Sequence, residues 1–288
     1  MPGQPTPPAL RLTPQTLRWM QTLGLGPLYL RRSVLAQQTT VQDLAAQAPA
    51  AAQPAAAQHA TRASSMGEIG QTSRRAAALA PVARAPADPE RASIIAQMGW
   101  EELRAATEAC RACKLGDMRH QAVFGTGSTR ARWMIVGEAP GAEEDRQGEP
   151  FVGAAGQLLD AMLRAVGLDR HADDPQRAVY IANVLKCRPP GNRNPLPEEV
   201  ARCAPWLERQ IALLQPRLIL ALGRFAAQAL LGSNAPISQL RGQVHRYASI
   251  ALIVSYHPAY LLRNPADKAR AWRDLCLARD TLKQTAPD

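Results

Sequence analysis

Residues 137–153 read GEAPGAEEDRQGEPFVG, and they decide the fold. A short apolar run typical of a strand precedes them at 133–136, and apolar residues recur at helical spacing over 157–166. The stretch is therefore predicted to be a long loop between a strand and a helix, where open α/β sheets bind ligands. Two glycines and a proline constrain its first five residues, and three carboxylates lie close by. This combination favours a ligand site, although a tight turn with an acidic rim would give the same GxxPG pattern.

The rest of this region alternates strands and helices in the same way. Strands are predicted at 133–137, 179–185 and 218–222, and a short strand at 244–247 is predicted to pair with 251–255. Helices are predicted at about 89–109, 154–166, 197–214, 224–231 and 266–283. Continuously apolar strands that alternate with helices indicate an α/β fold. In it, a central, mostly parallel sheet is flanked by helices on both sides.

The N-terminal third of the chain has a different composition. Residues 1–36 are predicted to be a tail in which a short helical island, about 13–30, could dock on a protein partner. Residues 37–87 are rich in Ala, Gln and Pro and have few large apolar side chains, which predicts a flexible linker. The ordered domain is therefore predicted to span 88–288.

The overall charge points to a polyanionic partner. The chain has 288 residues, with 34 Lys and Arg against 24 Asp and Glu and a formal net charge of +10. A basic protein of this kind often binds nucleic acid, although an arginine-rich proteome would give the same balance. No apolar run approaches the ~18 residues of a membrane span, and no signal pattern opens the chain. We therefore expect no membrane association and a cytoplasmic, nucleoid-associated protein.

Four of the five cysteines form a candidate metal site. Cys110 and Cys113 make a C-x-x-C pair, and Cys187 and Cys203 lie further along the chain. In a chain without export signals, such cysteines indicate a metal site or reduced thiols rather than disulfides. Four thiolates can bind zinc or an iron–sulfur cluster, and the spacing does not choose between them. Cys276 is expected to be a core thiol of the last helix.

Two further polar residues lie near the ends of predicted strands. The amide of Asn183 offers a donor and an acceptor together, which suits the edge of a pyrimidine. His257 follows the last strand and should face the same crevice as the 137–153 loop. After it come Leu261, Leu262 and Arg263 on a predicted loop. Apolar tips of this kind can wedge between DNA bases while an arginine meets phosphate.

Taken together, these motifs resemble the family 4 uracil-DNA glycosylases. The matching segments are GEAPGAEEDRQGEPFVG (137–153), Asn183 with KCRPPGNRNP (186–195), HPAYLLR (257–263) and cysteines 110, 113, 187 and 203. The resemblance covers about residues 95–280. It implies the three-layer uracil-DNA glycosylase fold and makes 88–288 the catalytic domain.

The resemblance also implies a pocket for an extruded uracil. The residues that match its uracil-binding positions are Gly137, Glu138, Ala139, Phe151, Asn183 and His257. The first three match the pocket floor. Phe151 matches the aromatic that stacks on the base, and Asn183 matches the residue that reads the base edge. His257 matches the residue that hydrogen-bonds the uracil carbonyl as negative charge builds there.

The implied reaction is hydrolysis of the N-glycosidic bond of uracil in single- or double-stranded DNA. It leaves an abasic site and begins base excision repair. Glu138 and His257 are the expected catalytic residues. Other branches of the superfamily place an Asp or Asn next to the Gly-Pro turn to hold the water, and the matching positions here are Glu138 and Ala139. Because Ala139 cannot do acid–base work, Glu138 is the first candidate for that role. Glu144 and Asp145 are expected to be solvated on the rim.

Cofactor and partners also follow from the resemblance. Cys110, Cys113, Cys187 and Cys203 match the ligands of a structural [4Fe-4S] cluster. Residues 261–263 match the loop that enters DNA, so uracil-containing DNA is the expected partner, and a monomer is the expected state. The alternative is a non-catalytic relative that binds uracil-containing DNA and acts as a recruitment module.

Overall fold

The computed structural model describes residues 88–284. The predicted tail (1–36) and linker (37–87) lie outside the described residues. The strands are β1 Thr126–Gly127, β2 Trp133–Gly137, β3 Val179–Asn183, β4 Leu218–Leu222, β5 Val244–Tyr247 and β6 Ile250–Ser255. They form one sheet in the order β1-β3-β2-β4-β6-β5. The four inner strands are parallel, whereas β1 and β5 are antiparallel edges. The predicted mostly parallel sheet is confirmed.

Helices cover both faces of this sheet. Within residues 88–284 they are α1 Pro89–Ile95, α2 Trp100–Ala109, α3 Leu115–Met118, α4 Ala142–Gln147, α5 Ala154–Ala165, α6 Pro197–Leu214, α7 Arg224–Leu231, α8 Ile237–Leu240, α9 Pro258–Arg263 and α10 Lys268–Gln284. Short 3₁₀ turns lie at Pro190–Asn192 and Pro265–Asp267. In the part of the chain that is described, no helix has both the length and the apolarity to cross a membrane.

Side-chain alternation along β2 divides the core into two layers. Trp133 and Ile135 pack with the apolar sides of α5 and α10 on one face of the sheet. Met134 and Val136 pack with α6 and α7 on the other face. Since successive strand residues point to opposite faces, a strand buried on both sides must be apolar throughout. This requirement explains the continuous apolar runs in the sequence.

A third apolar cluster joins the N-terminal helices to α6. Ile95 of α1 and Leu103 of α2 are buried there against Trp206 of α6. The same cluster contains Cys187 and Cys203. The cysteines therefore lie beside the sheet, in a separate small core that attaches α1–α3 to the rest of the domain.

The strand register gathers the chemically active segments at one edge. Gly137 at the end of β2 is opposite Asn183 at the end of β3, and Leu222 of β4 is opposite Ser255 of β6. From β2 the chain next adds a strand on one side, β3, and later a strand on the other side, β4. Such a reversal opens a crevice at the carboxyl ends of the strands, which is where open α/β sheets bind ligands.

One predicted strand boundary differs from the structure, whereas the helices predicted over 89–109 are present. They are α1 and α2, because α1 ends at Ile95 and Gly99 begins α2 as an extended N-cap. The predicted strand at 179–185 ends at Asn183. Beyond it, Val184 and Leu185 still donate backbone hydrogen bonds to the carbonyls of Gly137 and Glu138.

The predicted loop after β2 contains a helix. Gly141 is the N-cap of α4, and the Glu144 carboxylate accepts a hydrogen bond from the Gly141 N–H at 3.1 Å. Acidic residues in a first turn are stabilised by the positive end of the helix. The EED run at 143–145 is therefore a helix start as well as a cluster of charge.

A buried ion pair fixes the end of β6 to α10. Asp274 is buried and accepts hydrogen bonds from the Ser255 hydroxyl at 2.8 Å and from Arg241 at 2.8 and 3.1 Å. Burial raises the pKa of Asp274, and its hydrogen bonds to Ser255 and Arg241 oppose that rise. Arg241 also lies over the ring of Tyr256, 5.3 Å from its centre. These contacts hold the strand end from which His257 emerges.

We expect Asp274→Ala to destabilise the domain by about 3–5 kcal/mol, because it leaves Arg241 buried without its carboxylate. Urea denaturation measures the change. Asp280→Ala is the matched control, since Asp280 is a half-exposed carboxylate on the same helix that pairs only with the neighbouring Arg279; its loss should change the free energy of unfolding by less than about 0.5 kcal/mol. Equal changes in the free energy of unfolding for the two variants would contradict a stabilising role of the buried Asp274–Arg241 ion pair.

Candidate active site and cysteine cavity

The candidate pocket forms where β2 has no side chain. A Cβ on Gly137 would lie 2.3 Å from Asn183 Oδ1 and 2.6 Å from Phe151 Cζ. No larger residue fits there without moving the amide or the ring. The missing side chain therefore brings the amide of Asn183 and the ring of Phe151 together at the end of β2.

Asn183 has an acceptor that the protein leaves unused. The residue is 1% exposed, and its Oδ1 is the one buried side-chain nitrogen or oxygen without a hydrogen-bond partner in residues 88–284. Buried polar atoms are almost always paired, so an exception at a strand end indicates a ligand that supplies a donor. The neighbouring amide nitrogen of the same side chain offers a donor in return.

A buried network holds the backbone of Asn183. Lys186 Nζ donates to the Asn183 carbonyl at 2.8 Å and to Gln210 Oε1 at 2.6 Å. Gln210 Nε2 in turn donates to the Phe124 carbonyl at 2.9 Å and contacts the Tyr180 hydroxyl at 3.1 Å. Burial lowers the pKa of Lys186 to about 8. The KCRPP motif gave no sign of this positioning role, because the contact depends on the turn that follows β3.

Phe151 and His257 form one wall of the pocket. Their rings are stacked, with centres 5.4 Å apart and planes 28° from parallel. Phe151 has a φ of 56°, a left-handed conformation that strains a non-glycine residue by about 1–3 kcal/mol. The sequence predicted that both residues face the crevice, but it did not predict the strain.

The imidazole of His257 is neutral and presents its Nε2–H as a donor. Its Nδ1 accepts a hydrogen bond from the Ala259 N–H at 3.2 Å, so the proton resides on Nε2. Burial, assisted by the charge of Arg263, lowers the pKa of His257 to about 4, and Glu144 opposes this shift. Gly223, with a φ of 88°, leaves room for the ring, because a Cβ there would lie 3.0 Å from the His257 Cβ.

Glu138 and Ala139 directly follow Gly137 at the end of β2. Both are half-buried. Burial raises the pKa of the Glu138 carboxyl, and the charge of Arg224 opposes the rise. Ala139 packs instead against the third apolar cluster, beside the cysteines. Of the two, only Glu138 has a group that can exchange protons.

The prediction that Glu144 and Asp145 are solvated on the rim is wrong. Besides capping Gly141, the Glu144 carboxylate accepts hydrogen bonds from the Val152 and Gly153 N–H groups, both at 3.0 Å. Asp145 is buried and accepts from the His120 N–H at 3.0 Å. Glu144 therefore closes the loop on itself next to Phe151, and Asp145 ties the loop to the segment before β1.

The predicted DNA-contacting segment is a helix, and one of its three residues must be withdrawn. Leu261 is 0% exposed and packs in the core with α5 and α10. It cannot reach DNA from there, because α9 turns that side toward the sheet. Leu262 is 45% exposed, and Arg263 is exposed beside it. Because adjacent side chains point in different directions on a helix, Leu261 faces the core and Leu262 faces outward, whereas a loop could have exposed both.

The four cysteines predicted to act together line a single cavity. Cys110 caps the end of α2, Cys113 begins the turn after it, Cys187 follows β3 and Cys203 lies in α6. Cys276 is elsewhere, half-buried on α10 rather than fully in the core as predicted, and burial raises its pKa.

Three of these sulfurs accept hydrogen bonds. The pairs are Arg91 Nη2 to Cys110 Sγ at 3.6 Å, Arg119 Nη1 to Cys187 Sγ at 2.9 Å and the Lys186 N–H to Cys203 Sγ at 3.3 Å. Burial raises the pKa of Cys203 to about 12 and also raises that of Cys187. Buried thiols of this kind become thiolates when a metal binds them.

Four thiolates that line one cavity can bind a zinc ion or an iron–sulfur cluster. Within the described residues, no three Cys, His, Asp or Glu side chains are grouped closely enough to hold a single metal ion.

Comparison with known proteins identifies the family. Residues 124–277 match the family model described as the uracil DNA glycosylase superfamily. The chain belongs to the uracil-DNA glycosylase superfamily. It is 45% identical over 165 residues to the type-4 uracil-DNA glycosylase of Archaeoglobus fulgidus. The aligned residues cover 54% of this chain and 80% of that protein.

Further members of the superfamily agree. The type-4 enzyme of Pyrobaculum aerophilum is 43% identical over 188 residues, or 62% of this chain and 93% of that protein. The type-4 enzyme of Thermotoga maritima is 43% identical over 163 residues, or 56% and 82%. The family resemblance predicted from the motifs is confirmed.

The depressed pKa of His257 predicts a pH dependence of stability. Since the folded pKa of about 4 is below the unfolded value of about 6.5, only the unfolded state binds this proton between those values. The contribution of His257 to the free energy of unfolding is therefore fully present above pH 6.5 and is lost as the pH falls toward 4. Between pH 7.5 and pH 5, the free energy of unfolding should therefore fall by about 1–2 kcal/mol less in His257→Gln than in wild type. Urea denaturation of both proteins measures it; parallel losses would show that His257 is not held neutral.

Proposed function

We propose that this protein is a uracil-DNA glycosylase that hydrolyses the N-glycosidic bond of uracil in DNA and leaves an abasic site. The observation that carries the proposal is the buried, unpaired Oδ1 of Asn183 beside the ring of Phe151. Membership of the superfamily supports it, as do relatives named type-4 uracil-DNA glycosylases. Those relatives favour an enzyme over a non-catalytic recruitment module.

Recognition requires an extruded base. A uracil that leaves the stack exposes an edge with an N–H donor beside a carbonyl acceptor. Asn183 Oδ1 accepts from that N–H, and the amide nitrogen donates to the carbonyl. Cytosine has the reversed pattern, so it would leave a buried amide unpaired, and sites of this kind reject such bases strongly. Phe151 supplies the stacking surface.

Bond cleavage transfers the bonding electron pair from the sugar–nitrogen bond to the base. Negative charge then develops on a uracil carbonyl oxygen, and positive charge develops on the sugar. The Nε2–H of His257 stabilises the oxygen without giving up its proton, which a neutral imidazole does well. Water adds to the sugar carbon, and Glu138 is the acceptor for the proton that this water loses.

The exposed residues near the pocket are suited to DNA. Arg263 and Leu262 lie together on α9 beside His257. An arginine there can meet a backbone phosphate while the leucine fills the gap left by the extruded base. The net charge of +10 adds long-range attraction for the strand.

We further propose that Cys110, Cys113, Cys187 and Cys203 hold a [4Fe-4S] cluster. Their shared cavity, the hydrogen-bond donors to three of the sulfurs and the similarity to type-4 enzymes support this proposal. When bound, the group supplies iron–thiolate bonds that cross-link α2, the turn after β3 and α6. Its role here is structural, since the cysteines stand behind the pocket and face the third apolar cluster.

The proposed function is tested on oligonucleotides that contain uracil. We expect wild type to generate abasic sites and Asn183→Ala to lose most of this activity. Glu138→Gln should lower the single-turnover rate by about 10²–10⁴-fold and abolish the acid limb of the rate profile. That limb falls where Glu138, with its raised pKa, takes up a proton.

Glu143→Gln is the matched control for Glu138→Gln. Glu143 is exposed in the same loop and pairs with Arg146 at 2.7 Å, so its loss should leave the rate within about twofold of wild type. Tight binding of uracil-containing DNA without any abasic product would contradict the proposal and favour the recruitment module.

For the cluster, we expect Cys110→Ala and Cys187→Ala to lose bound iron, visible absorbance and stability together. Cys276→Ala should retain all three, because this thiol lies outside the cavity. Iron analysis, absorbance and thermal unfolding of protein purified without oxygen measure the outcome. Full iron content in Cys110→Ala would overturn the cluster assignment. Zinc instead of iron in the wild-type protein would show that the four cysteines form a zinc site.

A further inference from the structure

The backbone at Phe151 requires an external restraint. Its φ of 56° lies in the left-handed region, where the Cβ crowds the backbone. The other described non-glycine residues with positive φ are Asn192, Gln215 and Ala248. All three are exposed, whereas Phe151 is buried. A strained and buried residue persists only where its surroundings determine its conformation.

Arg170 supplies that restraint from behind the pocket. Its side chain is buried, and its guanidinium donates from Nη1 to the Pro150 carbonyl at 3.0 Å and from Nη2 to the Phe151 carbonyl at 3.1 Å. Its Nε donates to Asp160 Oδ1 at 2.7 Å. The planar fork therefore spans two consecutive carbonyls, and a carboxylate balances its charge.

Helix α5 provides the surface on which these groups meet. Gly156 and Asp160 are four residues apart and so lie on the same side of the helix. A Cβ on Gly156 would lie 1.7 Å from the Phe151 carbonyl oxygen. The glycine therefore lets this carbonyl approach the helix, while Asp160 orients Arg170 toward it. We call Arg170, Asp160 and Gly156 the Phe151 clamp.

The clamp determines where the ring of Phe151 lies. Relaxation of the backbone to a negative φ would swing the Cβ, and with it the ring, away from His257 and Gly137. We propose that Arg170 is a positioning residue that holds the Phe151 ring where it stacks on an extruded uracil. This proposal rests on the proposed function of the pocket, and Arg170 acts only through Phe151.

The proposal is tested by a double-mutant cycle on the full chain. Free uracil is the probe, and its affinity is measured by competition against cleavage of a single-stranded uracil oligonucleotide and by direct calorimetry. Arg170→Met, Phe151→Ala and the double variant are compared with wild type. Arg164→Met is the control, since Arg164 is an exposed arginine on α5.

We expect Arg170→Met to weaken uracil binding about 5- to 100-fold, the range in which base–aromatic stacking contributes. In the Phe151→Ala background the same change should weaken it less than about twofold, because the ring it positions is gone. Arg170→Lys should recover part of the affinity, and Arg164→Met should stay within about twofold of wild type.

Three results would overturn the clamp. They are unchanged uracil affinity in Arg170→Met, a loss that persists in full in the Phe151→Ala background, and no recovery with Arg170→Lys. If Arg170→Met does not fold, Asp160→Asn and Arg170→Lys take its place in the double-mutant cycle with Phe151→Ala. Their uracil affinities are then judged by the same comparison. Failure of wild type to release uracil from DNA would contradict the proposed function instead, and calorimetry with free uracil would still test the clamp.

Discussion

The whole site depends on the close approach of two backbones and a ring at Gly137. β2 and β3 are parallel and in register there, so the amide of Asn183 stands beside a position without a side chain. Phe151 returns over the same spot from the far end of the loop. A single methyl group at Gly137 would occupy the space that the amide and the ring share. Shape, rather than charge, is therefore the first condition for reading a base in this pocket.

Two supports hold that arrangement from opposite sides. On one side, Lys186 ties the backbone of Asn183 to Gln210 and lies next to the cysteine cavity. On the other side, Arg170 ties the carbonyl of Phe151 to α5. Both supports are buried cations that donate to backbone carbonyls, so neither contacts the base. The cluster proposed for the four cysteines would brace the turn that carries Lys186, which lines the same cavity.

Charge in the loop after β2 serves structure more than chemistry. The carboxylates of Glu144 and Asp145 accept hydrogen bonds from backbone N–H groups and therefore act as a helix cap and as loop closures. Glu138 is different, because burial raises its pKa and the structure of residues 88–284 shows no such bond to it. Burial lowers the pKa of His257 to about 4, and the role proposed for it is therefore that of a hydrogen-bond donor. Similar residue types thus take separate roles through their surroundings.

The sequence alone predicted the mostly parallel sheet and placed Asn183 and His257 near strand ends, and the family resemblance added Phe151 to the same crevice. Apolar periodicity and glycine spacing are local properties, so they can be read without coordinates. Tertiary structure decided that Leu261 faces the core while Leu262 faces outward, since one residue on α9 turns a side chain by about 100°. It also decided the parts of Lys186 and Arg170, because the first depends on the turn after β3 and the second on the packing of the 137–153 loop against α5.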